Sequence, residues 1–341
     1  MKYLKSNNVK EKKIILRVDL NVPLVNGIIT EKSRIDAIQL TVKKLQEQQN
    51  KIFLISHFGR PNGEVNKKYS LEFICPILKN ELELDKIFFL DNLENESIQN
   101  TINKMSQGDV CLIENIRFYS EEQKNDLNFV KKISKNFDVY INDAFSASHR
   151  NHASIVGFPQ YLPSYAGYSL IEEIKNIDLF MNNSKKPNLA IIGGSKISTK
   201  IDLLYNLIEK CDVIAIGGAM ANTFLYAKGI DVGISLYEKD LSKTALSILE
   251  KAKKINCKIL FSLDVVCANN LHDKINIRQS DVNNVISNQM VLDIGDRTTK
   301  EISSYILKSK AVLWNGPLGA FEYTPYEKSS IEIANVIKKN T

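Results

Sequence analysis

Five of the chain's seven arginines fall in the first 150 residues: Arg17, Arg34, Arg60, Arg117 and Arg150. Most of its 45 cations are lysine. Arginine is a rigid five-donor fork, whereas lysine is a hydrated point charge, so the arginines mark places where fork geometry is useful. Around them lie Asp19, Asn21, His57, Asn115, Asn142, Asp143, His149 and His152. Arginines with a histidine, an asparagine and an aspartate suit a small polyanion, because guanidinium groups read phosphate and carboxylate oxygens two at a time. One such arginine could equally be half of a surface ion pair; five together are harder to explain that way.

The second half carries a different set. Two apolar runs end in paired glycines, Ile192-Gly193-Gly194-Ser195-Lys196 and Ile216-Gly217-Gly218-Ala219, each followed by a helical pattern. Glycines at such a place let backbone N–H groups approach phosphate, and a helix N-terminus favours negative charge. Lys196 and Lys200 are four apart and would share a face of a helix that begins that early. The last run leads into Trp314-Asn315-Gly316-Pro317-Leu318-Gly319-Ala320-Phe321-Glu322, whose carboxylate could accept hydrogen bonds from ribose hydroxyls. Neither GxGxxG nor GxxxxGK[ST] occurs at these glycines.

The elements that would position these groups follow from periodicity. Short apolar runs occur at Ile14–Val18, Ile52–Ile55, Ile87–Leu90, Val110–Ile113 and Val139–Ile141, then at Leu189–Ile192, Val213–Ile216, Ile259–Leu263 and Ala311–Trp314. Helical patterns separate them, including Ser33–Gln48, Ser70–Glu81, Leu127–Asn136, Lys200–Lys210, Ala219–Ala227, Lys243–Lys253, Lys300–Lys308 and Tyr326–Lys339. Near-continuous apolar strands alternating with helices predict parallel sheet covered on both faces, an α/β fold. Ligands of such sheets bind beyond the carboxyl ends of the strands, where the first-half arginines and histidines cluster. Leu170–Met181 reads as a helix followed by a polar turn through Pro187. It predicts two α/β domains, 1–168 and 187–341, with a linker helix and turn at 169–186.

Composition narrows the function classes. At 341 residues the chain is long enough for two cores. A net charge of +6 is mild, and basic and aromatic residues are not interleaved as nucleic-acid binding would require. The longest uncharged run, Val213–Ala227, is too short and too polar to span a bilayer. Five cysteines without a CxxC pair fit thiols in a reducing cytoplasm.

Taken together, RVDLNVP (17–23), SHFGRPNG (56–63), LIENIRF (112–118), INDAFSASHRNHAS (141–154), IIGGSKISTK (191–200), IGGAMANTF (216–224), DIGDRT (293–298) and WNGPLGAFE (314–322) resemble the phosphoglycerate kinase family in content and order. The resemblance implies two Rossmann-like three-layer domains with parallel sheets, joined by a hinge helix. It implies reversible phosphoryl transfer between 1,3-bisphosphoglycerate and ADP, giving 3-phosphoglycerate and ATP, by a monomer in the cytoplasm, with no nucleic-acid or membrane partner. Carried over by motif, the triose site would be Asp19, Asn21, Arg34, His57, Arg60, Arg117 and Arg150. The nucleotide side, taking ADP or ATP with Mg²⁺, would be Gly193, Gly194, Lys196, Lys200, Gly217, Gly218, Asn315, Pro317 and Glu322. Arg34, Lys196 and Lys200 would balance the charge of the phosphoryl group in flight. Arg17, Arg278 and Arg297 receive no role.

The resemblance also implies a further segment after Thr341: a strand entering a GGGD-type turn whose aspartate is a magnesium ligand. That motif is absent from these residues, so they supply no expected metal ligand. Two readings follow: a kinase whose sequence continues, or an impaired relative that binds triose phosphate and nucleotide. Ser146, Ser195 and Ala219 stand where the family commonly has glycine, alanine and glycine. The methyl of Ala219 would tighten or tilt the base pocket.

Overall fold

A computed structural model of the chain describes residues 2–4, 9–25, 27–183 and 185–340. The chain divides into two compact units, Met1–Asn176 and Ile177–Thr341. The division falls inside the helix Tyr168–Asn183.

The first unit is built on six parallel strands: β1 (Lys13–Arg17), β2 (Lys51–Ile55), β3 (Ile87–Leu90), β4 (Val110–Ile113), β5 (Val139–Asn142) and β6 (Ser164–Ala166). Their spatial order is β3-β4-β2-β1-β5-β6. Alternation divides the strand residues between two cores. Ile14, Leu16, Ile52, Leu54, Val110, Leu112 and Ile141 pack on one face, and Ile15, Phe53, Ile55, Cys111, Ile113 and Tyr140 on the other. Both faces are apolar because helices cover both. The helix Ser33–Glu47 follows β1 and buries Ile35, Ile38, Val42 and Leu45. In register, Arg17 at the end of β1 sits between Ile55 and Asn142, so the segments leaving β1, β2 and β5 begin side by side.

The second unit combines two sheets. Four parallel strands, β7 (Asn188–Ile192), β8 (Val213–Ile216), β9 (Lys258–Leu260) and β13 (Ala311–Asn315), lie in the order β9-β8-β7-β13. Three antiparallel strands, β10 (Asp264–Ala268), β11 (Arg278–Asp281) and β12 (Met290–Ile294), lie in the order β11-β10-β12. The antiparallel sheet is not in the sequence reading. The run Ile259–Leu263 ends as a strand at Leu260, and the chain starts its new sheet at Asp264. β6 and the helix Asn95–Lys104 are likewise additional elements. The pattern Ser70–Glu81 becomes a short 3₁₀ turn followed by the helix Cys75–Glu81, which has proline in its first turn where the missing N–H costs nothing.

Among the described residues no helix is long and apolar enough to cross a membrane. All five cysteines are free, and four are buried.

Candidate active site

In the first unit, the residues leaving the strand ends meet. Asp19 and Asn21 follow β1, Arg34 is the second residue of the helix Ser33–Glu47, and His57 and Arg60 follow β2. Arg117 lies in the 3₁₀ turn Ile116–Phe118 after β4, and Arg150 in the loop after β5. Asp19 accepts hydrogen bonds from Arg34, from the Ser146 hydroxyl and from the Asn21 amide (3.0 Å). Burial alone would raise its pKa, but these donors hold Asp19 below the usual carboxylate range. The Asn21 Oδ1 accepts from the Gly59 amide at 2.9 Å, and Arg117 donates to the Gly59 carbonyl at 2.7 Å. A single tight turn thus ties the segments after β1, β2 and β4 together.

The arginines are left short of counter-charge. Among the described residues, Arg34 is paired with Asp19, but Arg60, Arg117 and Arg150 have no carboxylate partner within ion-pair distance. The Nε atoms of Arg117 and Arg150 are buried without a hydrogen-bond partner. Burial, then the charges of Arg150 and Arg17, push Arg117 down to about 10. His57 is pushed down to about 2 by burial and by Arg17 and Arg117. It is therefore a neutral imidazole at neutral pH. Cations with unpaired donors at the carboxyl ends of parallel strands have the chemistry to receive an anion.

The sequence reading gave Arg17 no role and missed Glu122 and Ser154. Arg17, whose side chain is only 2% exposed, touches His57 and Ser154; Ser154 in turn contacts the buried Glu122. The signals for Arg17 were its place at the end of the first apolar run and its membership of the five early arginines. Nothing local marks Glu122 or Ser154, which are brought in from distant parts of the chain. Ser146, noted only as a departure from the family's glycine, supplies one of the donors to Asp19.

The second unit builds its site from backbone. A cavity of about 690 Å³ is bordered by Gly194, Gly218, Pro317 and Glu322, together with apolar groups such as Leu236, Leu292 and Phe321. Gly193, Gly217, Asn315, Lys196 and Lys200 are not among its lining residues. The glycines serve partly a different purpose from the one expected. The amides of Gly193, Gly217 and Gly218 donate to the carbonyls of Asn315 (2.9 Å), Ile192 (2.9 Å) and Leu318 (2.8 Å), so they are not free for phosphate. A Cβ on Gly193 would stand 1.9 Å from the Pro317 oxygen, and one on Gly316, at φ +89°, would stand 2.4 Å from the Gly193 oxygen. These residues are glycine because turns from three strands interlock.

Lys196 and Lys200 do not share a helical turn. Lys196 precedes the 3₁₀ turn Ile197–Thr199, and the α-helix begins only at Ile201. Lys196 is exposed, whereas Lys200 is half-buried and hydrogen-bonded to the Asn315 side chain. Desolvation lowers the Lys200 pKa. Ala219 is the first residue of the helix Ala219–Ala227, so its methyl lies at a helix start beside the cavity. Asp293 also lines the cavity. Burial pushes it up to about 6, against hydrogen bonds from Ser329 and the Ile294 amide.

Among the described residues no three histidine, cysteine, aspartate or glutamate side chains are grouped to hold a metal ion.

With this geometry in place, comparison with known proteins decides the family. The family description "Phosphoglycerate kinase" matches residues 4–341. The chain belongs to the phosphoglycerate kinase family. It is 43% identical over 331 residues to the phosphoglycerate kinase of Borreliella afzelii (strain PKo), covering 97% of this chain and 84% of that protein. It is 42% identical over 327 residues to that of Sinorhizobium fredii, covering 96% and 82%. The solved phosphoglycerate kinase of Coxiella burnetii superposes with a TM-score of 0.77 at 32% identity, covering 99% of this chain and 86% of that one. That of Pyrococcus horikoshii OT3 superposes with a TM-score of 0.82 at 26% identity, with the same coverage. Nothing in these comparisons favours a protein that only binds.

Proposed function

We propose that the arginine cluster of the first unit holds 3-phosphoglycerate or 1,3-bisphosphoglycerate, and that the cavity of the second unit holds ADP or ATP, for the phosphoryl transfer of glycolysis. The observation that carries this reading is the surplus of guanidinium groups without carboxylate partners around a neutral histidine: Arg117 is buried, Arg150 partly buried and Arg60 exposed. Arg60, Arg117 and Arg150 lack carboxylate partners among the described residues, so a substrate carrying phosphate and carboxylate would supply the missing charge. Asp19 and Asn21 hold Arg34 and the Gly59 turn in place, and His57 offers one hydrogen bond.

In the direction of ATP consumption, a carboxylate oxygen of 3-phosphoglycerate attacks the γ-phosphorus, and the bond to the β,γ-bridging oxygen breaks to release ADP. The nucleophile is already ionised, so no general base is needed, and catalysis is positioning plus charge neutralisation. Arg34, Lys196 and Lys200 are the side chains proposed to balance the transferring group. The lowered pKa of Lys200 and its tie to Asn315 suit a cation held ready for a phosphate. Gly194, Gly218, Pro317 and Glu322 would border the nucleotide, while Gly193, Gly217 and Asn315 would shape the turns behind it. Magnesium would arrive on the nucleotide's phosphates and neutralise part of their charge. We further infer a monomer that works in the cytoplasm.

The test is a coupled assay in which 3-phosphoglycerate and Mg-ATP are converted and the acyl phosphate product is trapped by reduction. Saturable turnover that falls at least tenfold with Arg34→Ala is expected. Binding of both ligands without any turnover by the protein would overturn the catalytic reading.

A further inference from the structure

The most deeply buried cation of the first unit is not one of those proposed to touch substrate. Arg17 is 2% exposed, and each part of its guanidinium has a separate partner. Its Nε donates to the Ser154 hydroxyl at 3.0 Å, one terminal nitrogen donates to the Val18 carbonyl, and the other lies 3.0 Å from Nδ1 of His57. The Ser154 hydroxyl hands its own proton to Glu122 at 2.6 Å, and the Ser154 amide donates to the same carboxylate at 2.8 Å. His152 lies 3.6 Å from Glu122. Burial works against the Glu122 anion, but His152, Arg17 and Ser154 hold its pKa below the usual range. A buried cation and a buried anion are therefore joined through one hydroxyl, and the free arm of the cation ends on the ring of His57.

Guanidinium has five donors and no acceptor. A ring nitrogen that faces it must offer a lone pair. A neutral imidazole with bare Nδ1 carries its proton on Nε2. A proton on Nδ1 would set two donors against each other at 3.0 Å in a buried place.

We propose that Arg17 is a positioning residue: it fixes His57 as the neutral Nε2–H tautomer, so that the ring meets an anionic substrate with one hydrogen-bond donor. This rests on the reading of the arginine cluster as the triose-phosphate site. Burial and most of the charges around the ring act in the same sense. Arg17, Arg117 and Arg150 disfavour a second proton, and Asp19 alone favours it. A lone histidine there would gain charge as pH falls through the 6 to 7 range; this one does not, so the charge of the receptor stays constant.

The experiment is nitrogen NMR of the intact chain with labelled histidine, with His57 assigned by comparison with His57→Gln. The expected result is a protonated Nε2, a bare Nδ1 and no titration between pH 6 and 8. A proton on Nδ1, or a midpoint inside that range, overturns the proposal, and only the signal assignment needs a variant. Arg17→Lys keeps the charge but loses the fork. It is expected to mix the tautomers and raise KM for 3-phosphoglycerate roughly tenfold, the loss of one hydrogen bond to a charged group, with KM for ATP unchanged. An Arg17→Lys protein that folds and keeps a pure Nε2–H ring overturns the assignment of the cause. Saturating 3-phosphoglycerate separates this idea from the reading beneath it. An Nε2–H ring whose signals ignore the ligand removes the triose-site reading, and the role of Arg17 with it. A ring shifted by the ligand but carrying Nδ1–H removes this proposal alone.

Discussion

The two units build their candidate sites in opposite ways. The first uses side chains: long cations brought together at the ends of parallel strands, deliberately short of counter-charge. The second uses main chain: interlocked turns that shape an apolar cavity, with charge at its margin. The difference matches the ligands proposed for them. A three-carbon acid with two charged ends offers little surface beyond its oxygens, so forks that read oxygens do most of the recognition. A nucleotide offers a large flat base, so a shaped cavity contributes more. A side-chain receptor keeps uncompensated charge in the folded protein, whereas a backbone receptor keeps close contacts that tolerate no added atom.

The largest expected effect tests the backbone side. Gly193→Ala places a methyl on the Pro317 oxygen and should destabilise the second unit by about 3 kcal/mol or more, because two backbones must separate. Urea unfolding measures it. A variant as stable as the parent would mean that the turns can part freely, and the contrast between the units would lose its basis.

The side-chain receptor gives the opposite pattern. Arg150→Gln should weaken 3-phosphoglycerate binding roughly tenfold by titration calorimetry, the loss of a charge-assisted contact. The same change should leave thermal stability equal or raised by about 0.5–1 kcal/mol, because it removes a like charge beside Arg117 and Arg17. A clear loss of stability would show Arg150 to be a structural cation.

Acid sharpens the comparison. His57 has a folded pKa of about 2, far below its ordinary 6.5, so the unfolded chain takes up the proton first. Its contribution is present above pH 6.5 and is lost as pH falls below that value. Asp293 is raised from 3.8 to about 6, so the folded chain holds that proton more tightly. Its contribution is present below about pH 4 and is lost as pH rises through 6. His57→Gln should therefore flatten the acid side of the stability profile, with up to ~1.4 kcal/mol per pH unit of slope removed below 6.5. Asp293→Asn should remove a slope of the opposite sign between pH 4 and 6. Slopes of the same sign would contradict the burial of one of these groups.

The smallest expected effect belongs to Glu322, which is exposed at the cavity margin. Glu322→Gln should change KM for ATP by less than about fivefold, as for other solvent-screened contacts. A larger change would move recognition in the second unit from backbone towards side chains.

The parallel strands were readable because both faces of each are buried, so Ile14–Leu16 or Val213–Ile216 appear as unbroken apolar runs. β11, with the sequence Arg-Gln-Ser-Asp, carries no such signal; it is a strand because β10 pairs with it. The helix Asn95–Lys104 buries only Ile98 and Ile102, too little periodicity to stand out. In the site, Asp19, Arg34 and Arg117 were legible from their place after apolar runs. Glu122 and Ser154 were not, because their partnership with Arg17 closes gaps of more than a hundred residues. The glycine pairs were seen but partly misread: sequence shows that a side chain is absent, not whether a phosphate or a neighbouring turn fills the space.

The interlocked turns of the second unit have a consequence for exchange with solvent. The amides of Gly193 and Gly218 close onto the turn holding Asn315 and Leu318, and that of Gly217 closes onto Ile192, so each contact braces the others. They belong to one cooperative opening unit, drawn from three places in the chain, and should share a single protection factor. Hydrogen exchange at Gly193 and at the distant pair Gly217-Gly218 would then rise and fall as one.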